Sequence, residues 1–127
     1  MARTYAKVVG VVVLLVGIVG LFAGDEILSN FTSDIIEDIV HLVTGAALAY
    51  VGFAAVEYRI VRNVVGVLGI VYLLVGIIGF ISDDLGGILD YPYTNYDNVL
   101  HLVLGILGIA AAYLMGGEGE GTNAAAA

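Results

Sequence analysis

Four stretches without Asp, Glu, Lys or Arg, at 8–24, 39–56, 64–82 and 99–117, constrain this chain more than anything else in it. Each holds about 17–19 residues rich in Val, Ile, Leu and Gly. A helix rising 1.5 Å per residue needs ~20 residues to cross ~30 Å of hydrocarbon. The runs are too long for ordinary strands and lack period-2 alternation. In lipid the backbone must satisfy its own hydrogen bonds, so such a run becomes a helix. A transmembrane β-barrel needs more segments with polar lumen faces than the sequence offers. Composition agrees: 61% of the 127 residues are hydrophobic and 13% are charged, against ~45–50% and ~25% in soluble domains. A water-soluble enzyme and a disordered chain are thereby excluded, and the length allows one membrane-embedded unit.

The charges predict the topology. All four cations, Arg3, Lys7, Arg59 and Arg62, flank the start of the first run or lie between the second and third. Nine of the twelve acids lie in the other two connections, at 25, 26, 34, 37, 38, 83, 84, 90 and 97. The positive-inside rule puts the N-terminus, the middle link and the C-terminus in the cytoplasm of a multi-pass cell-membrane protein. A formal charge of −8 argues against nucleic acid as a partner. No cysteine is present, so disulfides, thiolate metal sites and cysteine nucleophiles are excluded.

The chain repeats itself. LLVGIVGLF at 14–22 aligns with LLVGIIGFI at 73–81, and VHLVTG at 40–45 with LHLVLG at 100–105, at offsets of 59 and 60. This predicts a tandem duplication of a helical hairpin, repeat 1 about 6–56 and repeat 2 about 63–115, related by an axis along the membrane normal. The first run has the basic start and small-residue end of a secretory leader, but its reappearance in mid-chain argues that it is a span. Gly10, Gly17 and Gly20 recur as Gly69, Gly76 and Gly79. Small residues in register predict a close helix seam, with Gly45, Ala49, Gly105 and Gly108 opposite. Asp34 with Glu37, and Thr94 with Asp97, have capping-box spacing, and Pro92 breaks the chain ahead of the last run. Tyr5, Tyr50, Tyr58, Tyr91, Tyr93 and Tyr96 read as interfacial belt residues. The tail 116–127, of Gly, Glu, Thr, Asn and Ala, has no apolar stripe and is expected to be disordered.

His41 and His101 are the only histidines, and they are repeat equivalents. Each is expected about one turn inside a helix start. Each has an acid four residues earlier, Glu37 and Asp97, with Asp38 and Asn98 at the intervening i−3 positions. At i,i+4 spacing, acid and imidazole share a helical face. Three readings are open. In the first, the histidines tie the hairpins together structurally, which polar groups between membrane helices do at ~0.6–2 kcal/mol. In the second, they bind a transition metal with Glu37 or Asp97, or hold a haem between them. In the third, they handle protons, since ionisable groups within spans are functional suspects. Thr44, one turn from His41, is expected to bond back to its own helix.

The strings VGVVVLLVGIVGLF, DIVHLVTG, VYLLVGIIGF and NYDNVLHLVLGILG together resemble a family of small four-helix integral membrane proteins. That family is a domain of unknown function found in actinobacteria and halophilic archaea. The resemblance spans residues 6–115, and Asp97-Asn98-Val99-Leu100-His101-Leu102 is its most recognisable element; the first copy departs from it with Glu37-Asp38. It implies a fold and no activity. The excess of loop acids also looks like a halophile's surface. The expectation is an all-α polytopic membrane domain at 1–115. Its expected role is that of a non-catalytic accessory or structural subunit with no cofactor. Its partners would be the lipid bilayer, another copy of itself or a larger membrane protein. The alternatives are a metal- or haem-binding protein centred on His41 and His101, and a small oligomeric channel or carrier with an acidic outer vestibule.

Overall fold

The computed structural model describes residues 1–23, 35–88 and 93–115. They form α1 (Ala2–Ala23), α2 (Ile35–Phe53), α3 (Tyr58–Ile81) and α4 (Asn95–Ile109), and α4 runs on through one π-helical turn, Ala110–Leu114. Among the described residues there is no strand, and all four helices are long and apolar enough to cross a membrane. Asp34, Tyr91, Pro92 and the tail from 116 lie outside the described residues.

Each helix starts upstream of its uncharged run: at 2 rather than 8, 35 rather than 39, 58 rather than 64, and 95 rather than 99. Hydropathy finds the part of a helix that sits in hydrocarbon. The helix itself continues into the interfacial zone, where charged side chains reach water without breaking the backbone ladder. Arg3 has a further role. Its guanidinium donates to the carbonyls of Val51 and Ala54 (3.4 Å each) and Val56 (2.9 Å). Val51 lies in the last turn of α2, where a helix leaves its carbonyls unpaired, and Ala54 and Val56 follow just beyond its end; a cation there also suits the helix dipole.

The helices pack as two tight pairs, α1 with α2 and α3 with α4, and the pairs touch each other more sparsely. Glycine sets the approach. A methyl group on Gly10 would stand 2.5 Å from the amide nitrogen of Ala49, and one on Gly45 would stand 2.5 Å from that of Leu14. In the second pair, Gly69 meets the amide of Ile109 in the same way (2.9 Å) and Gly105 that of Leu73 (2.5 Å). Contacting positions climb along one helix as they descend along its partner, from Gly10 with Ala49 to Gly20 with Asp38 and from Gly69 with Ile109 to Gly79 with Asn98, so each pair is antiparallel.

Hydrophobic burial concentrates where α1 and α3 begin and α2 and α4 end. There Ala2, Tyr5, Ala6, Leu48, Val51, Tyr58, Val61, Val65 and Ala112 make the core. This corrects part of the tyrosine expectation. Tyr50 and Tyr96 are exposed, as belt residues are, but Tyr5, Tyr58 and Tyr93 are buried inside the bundle. A tyrosine ring buries well wherever its hydroxyl finds a partner. The Tyr5 hydroxyl donates to the Leu104 carbonyl at 2.7 Å, and that of Tyr58 accepts from the Ala2 amide at 3.4 Å.

Candidate functional site

At the opposite end of the bundle the interior turns polar. Glu37, Asp38, Asp97, Asn98 and His101 are all buried, and His41 is nearly so. The starts of α2 and α4 place them. On α4, Thr94 is the N-cap and Asp97 closes a complete capping box. The Asp97 amide donates to Thr94 Oγ1 (3.2 Å), and the Thr94 amide and hydroxyl donate to Asp97 Oδ2 (2.8 and 3.0 Å). The expected spacing is realised here. Each histidine is the seventh residue of its helix, about 9 Å along the axis from its start. That is nearly two turns inside, deeper than the one turn expected, because the helices begin upstream of the uncharged runs.

The partnership differs from the one spacing alone predicts. Glu37 serves both histidines. Its Oε1 lies 3.6 Å from His41 Nε2 on the same helix and 3.5 Å from His101 Nε2 on the other pair. The ligand atoms of the three residues all fall within 4.8 Å of one another. Periodicity reports which residues share a face of one helix. It is silent on which face of another helix will lie opposite. Asp38 and Asn98 pack on the seams: a Cβ on Gly20 would fall on the Asp38 carboxylate, and one on Gly79 on the Asn98 amide. Gly17 and Gly76 stand against Leu42 and Leu102.

The two imidazoles stack with centroids 6.3 Å apart and planes 25° from parallel. That arrangement does not set two nitrogens on opposite sides of a porphyrin plane, as a haem between them would require. Tyr72 stacks on His101 at 6.1 Å, and Tyr93 meets it edge-on at 5.3 Å. Among the described residues, Nδ1 of His41 and of His101 are buried without a hydrogen-bond partner. Beside the cluster, between the helix pairs, is a cavity of about 320 Å³. Val8, Val9, Val12, Val13 and Val16 of α1 wall one side. Glu37, His41, Tyr72, Asp97 and His101 line it together with Leu100 and Leu104.

Sequence reasoning passed over Tyr72. Its hydroxyl donates to Thr44 Oγ1 at 2.8 Å, while Thr44 in turn donates to the Val40 carbonyl of its own helix at 2.8 Å. The available signal was a phenol in mid-run, which in hydrocarbon needs a partner.

Set against known protein families, curated proteins and solved structures, the chain finds no match.

Proposed function

We propose that this chain is a non-catalytic, multi-pass protein of the cell membrane. In this reading it arose by duplication of a helical hairpin, has both termini in the cytoplasm, and serves as an accessory or structural subunit. The observation that carries it is the division of chemistry between inside and outside. Small residues and buried polar groups face inward, while the outward faces of all four helices carry side chains such as Val11, Leu15, Val43, Val67, Leu74 and Val103, each exposed. Such a surface suits lipid and the flanks of other membrane helices. Duplication is supported by equivalent contacts, since Gly10 with Ala49, Gly45 with Leu14, and Gly17 with Leu42 recur as Gly69 with Ile109, Gly105 with Leu73, and Gly76 with Leu102. Kinship with the actinobacterial and haloarchaeal four-helix family, and the halophilic character of the loops, belong to the same proposal.

The absence of native cysteine makes the test clean. Single cysteines placed beside Arg59 and beside Asp84 are expected to label from opposite sides of the membrane. Reconstituted protein is expected to pass no ions. Labelling from one side, or ion flux in liposomes, would overturn the reading.

A further inference from the structure

The Glu37, His41 and His101 side chains converge more closely on the geometry of a metal centre than on that of hydrogen bonding. An N–H···O bond spans ~2.7–3.2 Å, and the two contacts to Glu37 Oε1 are 3.5 and 3.6 Å. Two ligands ~2.0–2.1 Å from one tetrahedral ion stand ~3.4 Å apart. The observed separations therefore match two edges of a coordination tetrahedron. The third edge, within 4.8 Å, closes by an imidazole rotation of on the order of 1 Å.

The surroundings point the same way. Glu37 and His101 are buried and His41 is half-buried, and both imidazoles turn Nε2 toward one carboxylate oxygen. A cation between Nε2, Nε2 and Oε1 would have three ligand atoms screened from water, while each Nδ1 stays outside the coordination.

We propose that Glu37, His41 and His101 bind one divalent transition-metal ion within the bundle. The site draws Glu37 and His41 from α2 and His101 from α4, so the ion would join the two helix pairs. Two imidazoles and one carboxylate suit Zn²⁺, Fe²⁺ or a neighbouring first-row ion. They do not suit Mg²⁺ or Ca²⁺, which take six or more oxygens. Because all three residues line the valine-walled cavity, the fourth coordination position faces that space, where a water or small uncharged ligand fits. The proposal rests on this geometry and not on the accessory role.

The experiment is Co²⁺ titration of chelator-stripped, full-length protein in detergent. It is followed by visible absorption, with Zn²⁺ as competitor. The expected result is one Co²⁺ per chain with the intense bands of a four-coordinate site, displaced by Zn²⁺. His41→Ala and His101→Ala should each weaken binding by at least the ~10–100-fold that loss of an outer-shell partner costs. Glu37→Gln keeps the side-chain shape and is expected to weaken it likewise, with helicity and melting recorded for every variant. No Co²⁺ binding by folded wild-type protein would overturn the proposal without touching the accessory reading. So would binding that survives in the double histidine variant, which would place the ion on the exposed loop acids. Ion flux in liposomes, by contrast, would overturn the accessory reading and leave the metal site standing.

Discussion

Asp84, in the turn that follows α3, shows what a single side chain can do at the edge of the membrane. The Ser82 hydroxyl donates to its carboxylate at 3.0 Å, and the Gly86 amide donates to that hydroxyl at 2.9 Å. The Ser82 hydroxyl first, and then the Gly87 backbone amide, hold the Asp84 carboxyl below its ordinary value. A depressed folded pKa means that the carboxylate supports the turn above the ordinary carboxylate range, and that this support fades as pH falls through the folded value. Asp84 is solvated, so the effect stays local. Ser82→Ala is expected to raise the Asp84 pKa toward its ordinary value, read by carboxyl-carbon NMR titration. Hydrogen exchange at Gly86 and Gly87 should quicken in the same variant. At this scale the sequence was legible where one residue's chemistry sufficed, as with the seam glycines and the back-bonded Thr44. It was not legible for the carboxylate shared by His41 and His101, because that sharing depends on the docking of two elements far apart in the chain.

Among the elements, α4 has its beginning written most clearly. Thr94 and Asp97 satisfy two backbone amides reciprocally, and removing such a cap typically costs about 0.5–2 kcal/mol. Thr94→Ala is therefore expected to lower the melting temperature in detergent and to fray the first turn of α4, the turn that carries Asp97. Helicity and thermal melts check the first effect, and amide exchange at Asp97 the second. Hydropathy located all four helices but misjudged where they start, since it measures burial in lipid and not backbone hydrogen bonding. The same limit explains the tyrosines. Position near a run's end reads as a belt, yet Tyr5 and Tyr58 turn inward because Leu104 and Ala2 offer hydroxyl partners there. Arg3, a topological charge in the sequence, also closes the C-terminal end of α2.

The molecule as a whole consists of two close-packed pairs that meet more sparsely, through a shared apolar core at one end and a few polar links. Tyr5 reaches from α1 to the Leu104 carbonyl on α4, and Tyr72 from α3 to Thr44 on α2. Polar links between membrane helices average ~0.6 kcal/mol and reach ~1.7. Tyr5→Phe and Tyr72→Phe are each expected to destabilise by about that much. The double variant should loosen the attachment of one pair to the other while leaving each pair intact. Cross-linking between cysteines introduced on α1 and α4, compared with α1 and α2, separates the two effects. The class of fold followed from the four apolar runs, whereas the way the pairs meet did not, because no periodicity encodes it. The division has a consequence for biogenesis. Among the described residues, every backbone approach set by glycine joins helices consecutive along the chain, so the first pair can zip shut in the bilayer while the ribosome is still translating the second. His101 and Leu104 belong to the fourth helix, and only once it has emerged can Glu37 and Tyr5 acquire the partners that tie the pairs together.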